Sequence, residues 1–177
     1  MSILKKIFGR SGQPDVDKLQ AENNSKELRK ALKYEQDAAV RASAASALGN
    51  IESDTKSKVQ TLKSGLLKQS LEASIVRSED MLADALLNDS NAAVRLEAVN
   101  QLGRLGQADQ FVDLFVAALQ QEEDAGVRKA ILACLGKAAD PRAIEALREL
   151  AANDSDESVR EEAVRTLQQI SGDSAAG

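Results

Sequence analysis

Arg41, Arg95, Arg128 and Arg160 are the residues of this chain whose type and placing could do chemistry. Each follows a valine and stands four residues after an acid or amide, namely Asp37, Asn91, Asp124 and Asp156. A row of guanidinium groups could bind anions along a groove, because the planar fork takes carboxylate or phosphate through two parallel hydrogen bonds. The acid or amide one helical turn earlier offers each arginine a partner inside the chain, and this favours a structural role over anion binding.

Other reactive groups are few. The chain has no His, which excludes imidazole bases, Ser-His and Cys-His nucleophiles and His metal sites. Cys134 is the single cysteine, so neither an intrachain disulfide nor a Cys-rich zinc site can form. It falls seven residues after Val127, beside an apolar stripe, and reads as a small packing residue more readily than as a reactive thiol. No catalytic, cofactor-binding or metal-ligating residue and no cofactor is expected.

The elements that carry the arginines are copies of one another. The skeleton Asp/Asn-x-x-Val-Arg-x-x-Ala/Ile-x-x-x-Leu-Gly spans Asp37 to Gly49, Asn91 to Gly103 and Asp124 to Gly136, and returns at Asp156 to Gln168 without the terminal glycine. The steps between its valines, Val40, Val94, Val127 and Val159, are 54, 33 and 32 residues. A period near 33 is that of a repeat array of helix pairs, whose units bury their apolar faces only against neighbours. Val, the small or aliphatic residue four on and Leu eight on share one stripe of a helix. The Asp or Asn is placed to cap the helix N-terminus and the Gly to end the helix.

Between these second helices the sequence predicts partners and breaks. Pro14 to Glu22, Lys26 to Gln36, Glu79 to Leu87, Asp109 to Gln120 and Pro141 to Ala152 read as helices. The stretch 52–77 breaks the period by about 22 residues relative to a normal repeat step. The surplus could form a degenerate, shortened unit or one long helix, and the apolar positions Val59, Leu62, Leu66, Leu67, Leu71, Ile75 and Val76 favour a helix from Thr55 to about Ile75, bent at Gly65. Ser78 is expected to cap the helix that follows. Residues 171–177 read as a disordered tail, and residues 14–170 as one repeat domain. Only two prolines and four aromatic residues (Phe8, Tyr34, Phe111, Phe115) are present, and the dominance of Ala and Leu argues for an all-α fold.

Charge is divided. Residues 1–77 carry 14 Lys/Arg against 9 Asp/Glu and residues 78–177 carry 9 against 19, giving +5 and −10. The acidic part argues against nucleic acid as a partner. Residues 1–13 read as a flexible or amphipathic segment, in which Ile3, Leu4, Ile7 and Phe8 with Lys5 and Lys6 could form a weak contact with an anionic membrane surface. They are too short and charged for a span or signal peptide. A reducing cytoplasm suits the unpaired cysteine, and the N-terminal segment would put the chain at the inner face of a membrane.

With Asp-x-x-Val-Arg-x-x-Ala, the terminal Leu-Gly, and Asp140-Pro141-Arg142-Ala143-Ile144-Glu145-Ala146-Leu147 opening a first helix, the chain resembles HEAT-repeat proteins. It is most similar to the short HEAT-like repeats of bacterial type named after phycobilisome lyases. The resemblance covers residues 26–51 and 78–170, and 52–77 departs from it. It implies a short right-handed α-α solenoid of roughly four to five helix pairs, in which the repeated Asp and Arg form a ladder between units. Carried over, this makes Asp37, Arg41, Asn91, Arg95, Asp124, Arg128, Asp156 and Arg160 structural, with Asn91 replacing an Asp.

The resemblance further implies a non-enzymatic scaffold or adaptor that binds another protein along its second helices. At offsets two and six after each valine stand Ala42 and Ser46, Leu96 and Asn100, Lys129 and Ala133, Glu161 and Arg165. Leu96, Asn100, Lys129, Ala133 and Arg165 are the candidate partner contacts. The alternatives are an accessory subunit of a bilin-lyase-like enzyme and a HEAT-like nucleic-acid-binding protein. The second helices contain no Trp, Tyr or Phe with which to stack a base.

Overall fold

In a computed structural model that describes residues 13–105 and 108–174, every regular element is helical. The chain divides into two compact units, residues 1–105 and 106–177. The first holds α1 (Val16–Ala21), α2 (Ser25–Ala31), α3 (Ala38–Thr61), α4 (Leu66–Asn88) and α5 (Ala92–Leu105). The second holds α6 (Val112–Leu119), α7 (Ala125–Ala138), α8 (Ile144–Asn153) and α9 (Glu157–Ser174), with 3₁₀ turns at Ala108–Phe111 and Pro141–Ala143 ahead of α6 and α8. Residues Ile3, Leu4, Lys5, Lys6, Ile7 and Phe8 lie outside the described residues.

Each unit follows the repeat logic. In the first, α3 packs along α5 while α2 and α4 cover them, and in the second α7 packs on α9 with α6 and α8 alongside. Val94, Val127 and Val159 are fully buried, as are Ala44, Ala98, Ile131 and Ala163 four residues after each repeat valine. Val40 is only half-buried. Leu19, Leu28, Leu48, Leu82 and Leu102 complete the first core, and Phe115, Leu135, Leu147 and Ile170 the second. Burying side chains of this size contributes roughly 1.5–3 kcal/mol apiece.

The irregular stretch resolves into a lengthened helix pair. α3 does not stop at Ile51 but runs 24 residues to Thr61, against 14 in α5 and in α7. α4 has 23 residues, where the first helices α6 and α8 have 8 and 10. The surplus of the 54-residue step is thus an extension of one hairpin. Gly65 is a full break rather than a bend, with φ of +120° before α4 starts, a conformation that only glycine adopts without strain.

Ser78 is not a helix cap. It sits inside α4, buried, and donates to Glu52 Oε1 at 2.7 Å while accepting from Arg29 Nη1 at 3.0 Å. Lys56 bonds Glu79 and the carbonyl of Leu105 beside it. A serine can stand mid-helix here because a buried acid and an arginine from neighbouring helices satisfy its hydroxyl.

The glycines after the repeat leucines do not end their helices either. Gly49 lies within α3, Gly103 within α5 and Gly136 within α7, and α7 instead closes on Ala139 in the left-handed conformation at φ 49°. Gly49 is a close-approach position, since a Cβ there would overlap the Gln101 side chain on α5 at Oε1, Cδ and Cγ. At Gly136 a Cβ would meet the tip of the exposed Gln169 side chain at 3.1 Å. Gly49→Ala should therefore destabilise by about 1–3 kcal/mol through overpacking. Gly136→Ala, in a site that can yield, should be neutral or gain about 0.5–1 kcal/mol of helix propensity. Urea unfolding of the two variants checks this, and a Gly49→Ala variant as stable as Gly136→Ala would contradict it.

Candidate functional site

The polar residues of the repeat divide their work between helix caps and rungs. Asp37, Asn91, Asp124 and Asp156 are caps, accepting from the backbone N–H of Ala39 (2.8 Å), Ala93 (2.9 Å), Val127 (3.0 Å) and Ser158 (2.8 Å). They satisfy donors that the first helical turn leaves unpaired.

The arginines pair with different acids. Arg41 reaches Asp89 with Nε to Oδ2 at 2.6 Å and Nη2 to Oδ1 at 2.9 Å, and donates Nη1 to the Tyr34 carbonyl at 3.1 Å. Arg128 repeats the arrangement in the second unit, with Nε to Asp154 Oδ2 at 2.7 Å, Nη2 to Oδ1 at 2.8 Å and Nη1 to the Glu122 carbonyl at 3.2 Å. Asp89 and Asp154 also accept from the backbone N–H two residues on, at Asn91 (2.9 Å) and Asp156 (2.8 Å). Their carbonyls take Nη1 of Arg95 (2.8 Å) and of Arg160 (2.7 Å). Each rung thus joins one second helix to the N-terminus of the next.

Asp89 and Asp154 are the rung residues that the repeat skeleton missed. Their signal is the tetrapeptide Asn88-Asp89-Ser90-Asn91, repeated as Asn153-Asp154-Ser155-Asp156, in which the second residue rather than the fourth holds the arginine. The side chains of Arg41, Asp89, Arg128 and Asp154 retain 11%, 9%, 8% and 4% of their exposure, so Arg41 and Arg128 are closed to an external anion. A lesser tie in the second unit links Arg142 to Asp113 at 2.8 Å and to the carbonyl of Asp109 at 2.9 Å, near the solvent.

The candidate contact residues flank this ladder. Asn100, Lys129, Ala133 and Arg165 are exposed and Leu96 is half-buried. In the second unit Lys129 Nζ donates to Ser158 Oγ at 3.1 Å and Arg165 pairs with Glu162 at 2.9 Å and Glu161 at 3.2 Å. In the first unit a hollow of about 340 Å³ beside the Arg41–Asp89 rung is lined by residues that include Leu32, Lys33, Met81 and Asp84. Cys134 is half-buried, and burial pushes its thiol above the ordinary value despite Lys137 nearby, so it stands as a neutral thiol. Among the described residues no three His, Cys, Asp or Glu side chains gather as a metal site would require.

The family model for HEAT repeats matches residues 79–168, just over half of the chain. The chain belongs to the HEAT-repeat family. No curated protein matches it significantly. HEAT repeats generally mediate protein–protein interaction, and the family is typically non-catalytic. The matched span takes in the Arg128–Asp154 rung and both ends of the Asn-Asp-Ser-Asn/Asp motif. It leaves out the lengthened part of the α3–α4 hairpin.

The rungs make the HEAT array sensitive to acid. Burial pushes the Asp89 and Asp154 carboxyls up, yet the hydrogen bonds from Arg41 and Arg128, the backbone N–H groups and the nearby positive charges outweigh it and hold both below the usual range. A carboxyl lowered in the folded state stabilises the fold fully above its unfolded value of about 3.9, and that contribution disappears as pH falls through the folded value. Asp154→Asn should thus cost about 3 kcal/mol at neutral pH, by leaving Arg128 buried without its charge partner. Its gap from the unaltered chain should shrink as pH drops below about 4. Urea titrations at both pH values test this, and a gap independent of pH would contradict it.

Proposed function

We propose that the chain is a non-enzymatic scaffold or adaptor that binds another protein through the solvent-facing sides of its second helices, α5 in the first unit and α7 and α9 in the second, each unit offering its own contacts. The observation that carries this reading is how the repeat distributes its groups. Both rung arginines, Arg41 and Arg128, are consumed by bidentate pairing with acids, while Asn100 on α5, Lys129 and Ala133 on α7 and Arg165 on α9 stand in solvent. Leu96, half-buried on α5, adds an apolar contact. Small and mixed side chains on a helical surface suit a partner helix or peptide laid against them.

The same distribution weighs against nucleic acid. Phosphates are held by arginines and lysines that are not already neutralised, whereas here Arg165 pairs with Glu161 and Glu162. Any shift of duplex DNA at low salt should be unchanged by Arg165→Glu, since that arginine is already neutralised.

The surface is tested by capturing partners from the source cell with the unaltered chain and with Leu96→Glu and Ala133→Glu. These changes should leave stability within about 1 kcal/mol and abolish capture of a partner that the unaltered chain retains. Undiminished capture by both variants would place the binding surface elsewhere.

A further inference from the structure

The extension of the α3–α4 hairpin has a character that the partner surface does not explain. Between Glu52 and Ile75 no residue is buried, so the last turns of α3, the Leu62–Gly65 loop and the first turns of α4 project from the packed part of the first unit. Leu66 and Leu67 at its tip are 85% and 63% exposed, and Val76 further along α4 is 54% exposed. In a chain of net charge −5, residues 55–71 carry four lysines, Lys56, Lys58, Lys63 and Lys68, and no acid. Lys56 is turned inward to Glu79 and the Leu105 carbonyl, and Lys68 lies 3.9 Å from Glu72. Lys58 and Lys63 are exposed.

We propose that this tip is a contact for the anionic surface of a lipid bilayer, with Leu66 and Leu67 entering the boundary between headgroups and acyl chains and Lys58 and Lys63 facing the anionic headgroups. Apolar side chains combined with basic charge are the two signals that together hold a protein on such a surface. The geometry favours a bilayer over the groove of a folded protein. Leu66 and Leu67 are adjacent in sequence, so on a helix they point roughly 100° apart and form no single stripe. A groove needs a stripe, whereas a fluid interface accepts a knob. Lysine stems lie along apolar surface while their ammonium groups reach for charge, which suits the rim of such a knob. Among the described residues no helix is long and apolar enough to cross a membrane, so the contact is peripheral. It is independent of the protein-binding surface proposed above.

The chain lacks Trp, which makes a single reporter clean. The full chain should sediment with phosphatidylcholine vesicles that contain phosphatidylserine and not with phosphatidylcholine alone. Leu67→Trp emission should shift to the blue when the anionic vesicles are added. Lys58→Glu with Lys63→Glu, and separately Leu66→Ser with Leu67→Ser, should each lower partition at least about tenfold, with unchanged thermal unfolding because the sites are exposed. Three results would overturn the proposal. The first is no sedimentation of the unaltered chain. The second is equal sedimentation of the tip variants, which would assign binding to another segment. The third is self-association without lipid that the lysine reversals abolish, which would make a second copy the occupant.

Discussion

The buried, bidentate pairing of a repeat arginine with the aspartate just ahead of the next second helix is the interaction on which the structure rests. Apolar stripes bring second helices together, but a stripe of alanine and leucine can slide. The fork of Arg128 on the two oxygens of Asp154, at 2.7 and 2.8 Å, admits one placement. The carbonyl of the same aspartate takes the following arginine, Arg160, at 2.7 Å, and its carboxylate takes the N–H of the cap residue Asp156 at 2.8 Å. A single aspartate therefore fixes the register of one helix and the start of the next. Such a pair contributes more to specifying the arrangement than to net stability, because desolvating both charges offsets much of their attraction.

Much of this was legible in the sequence, and what was not has physical causes. The four caps and the fully buried Val94, Val127 and Val159 follow from spacing alone, since capping and amphipathic period are local properties. Asp89 and Asp154 escaped because the pairing runs over 48 and 26 residues, and local spacing offers each arginine a nearer acid that turns out to be occupied by backbone N–H groups. Gly49 and Ser78 misled for the same reason. Glycine after leucine and serine before two acids are the usual marks of helix ends. Here the first makes room for Gln101 and the second answers a buried Glu52 and Arg29. In both cases a neighbouring helix overrides the local preference.

The lengthened hairpin shows how a repeat protein acquires a feature without disturbing its array. α3 and α4 grow together beyond the point where α5 ends, and the cluster of Arg29, Glu52, Lys56, Ser78 and Glu79 ties down their base. Outward of that cluster the helices no longer answer to the core, and the side chains are free to be apolar and basic. Within each unit the rung and the core hold the helices, and the proposed contacts lie outside both.

A double-mutant cycle on Arg128 and Asp154 tests the central claim most directly. Unfolding free energies of the unaltered chain, Arg128→Ala, Asp154→Ala and the double variant should give a coupling of about 1.5 kcal/mol or more, with the double variant little worse than either single one. Additive losses, within about 0.5 kcal/mol, would show that the two side chains do not act together and that the array is held by its apolar stripes alone.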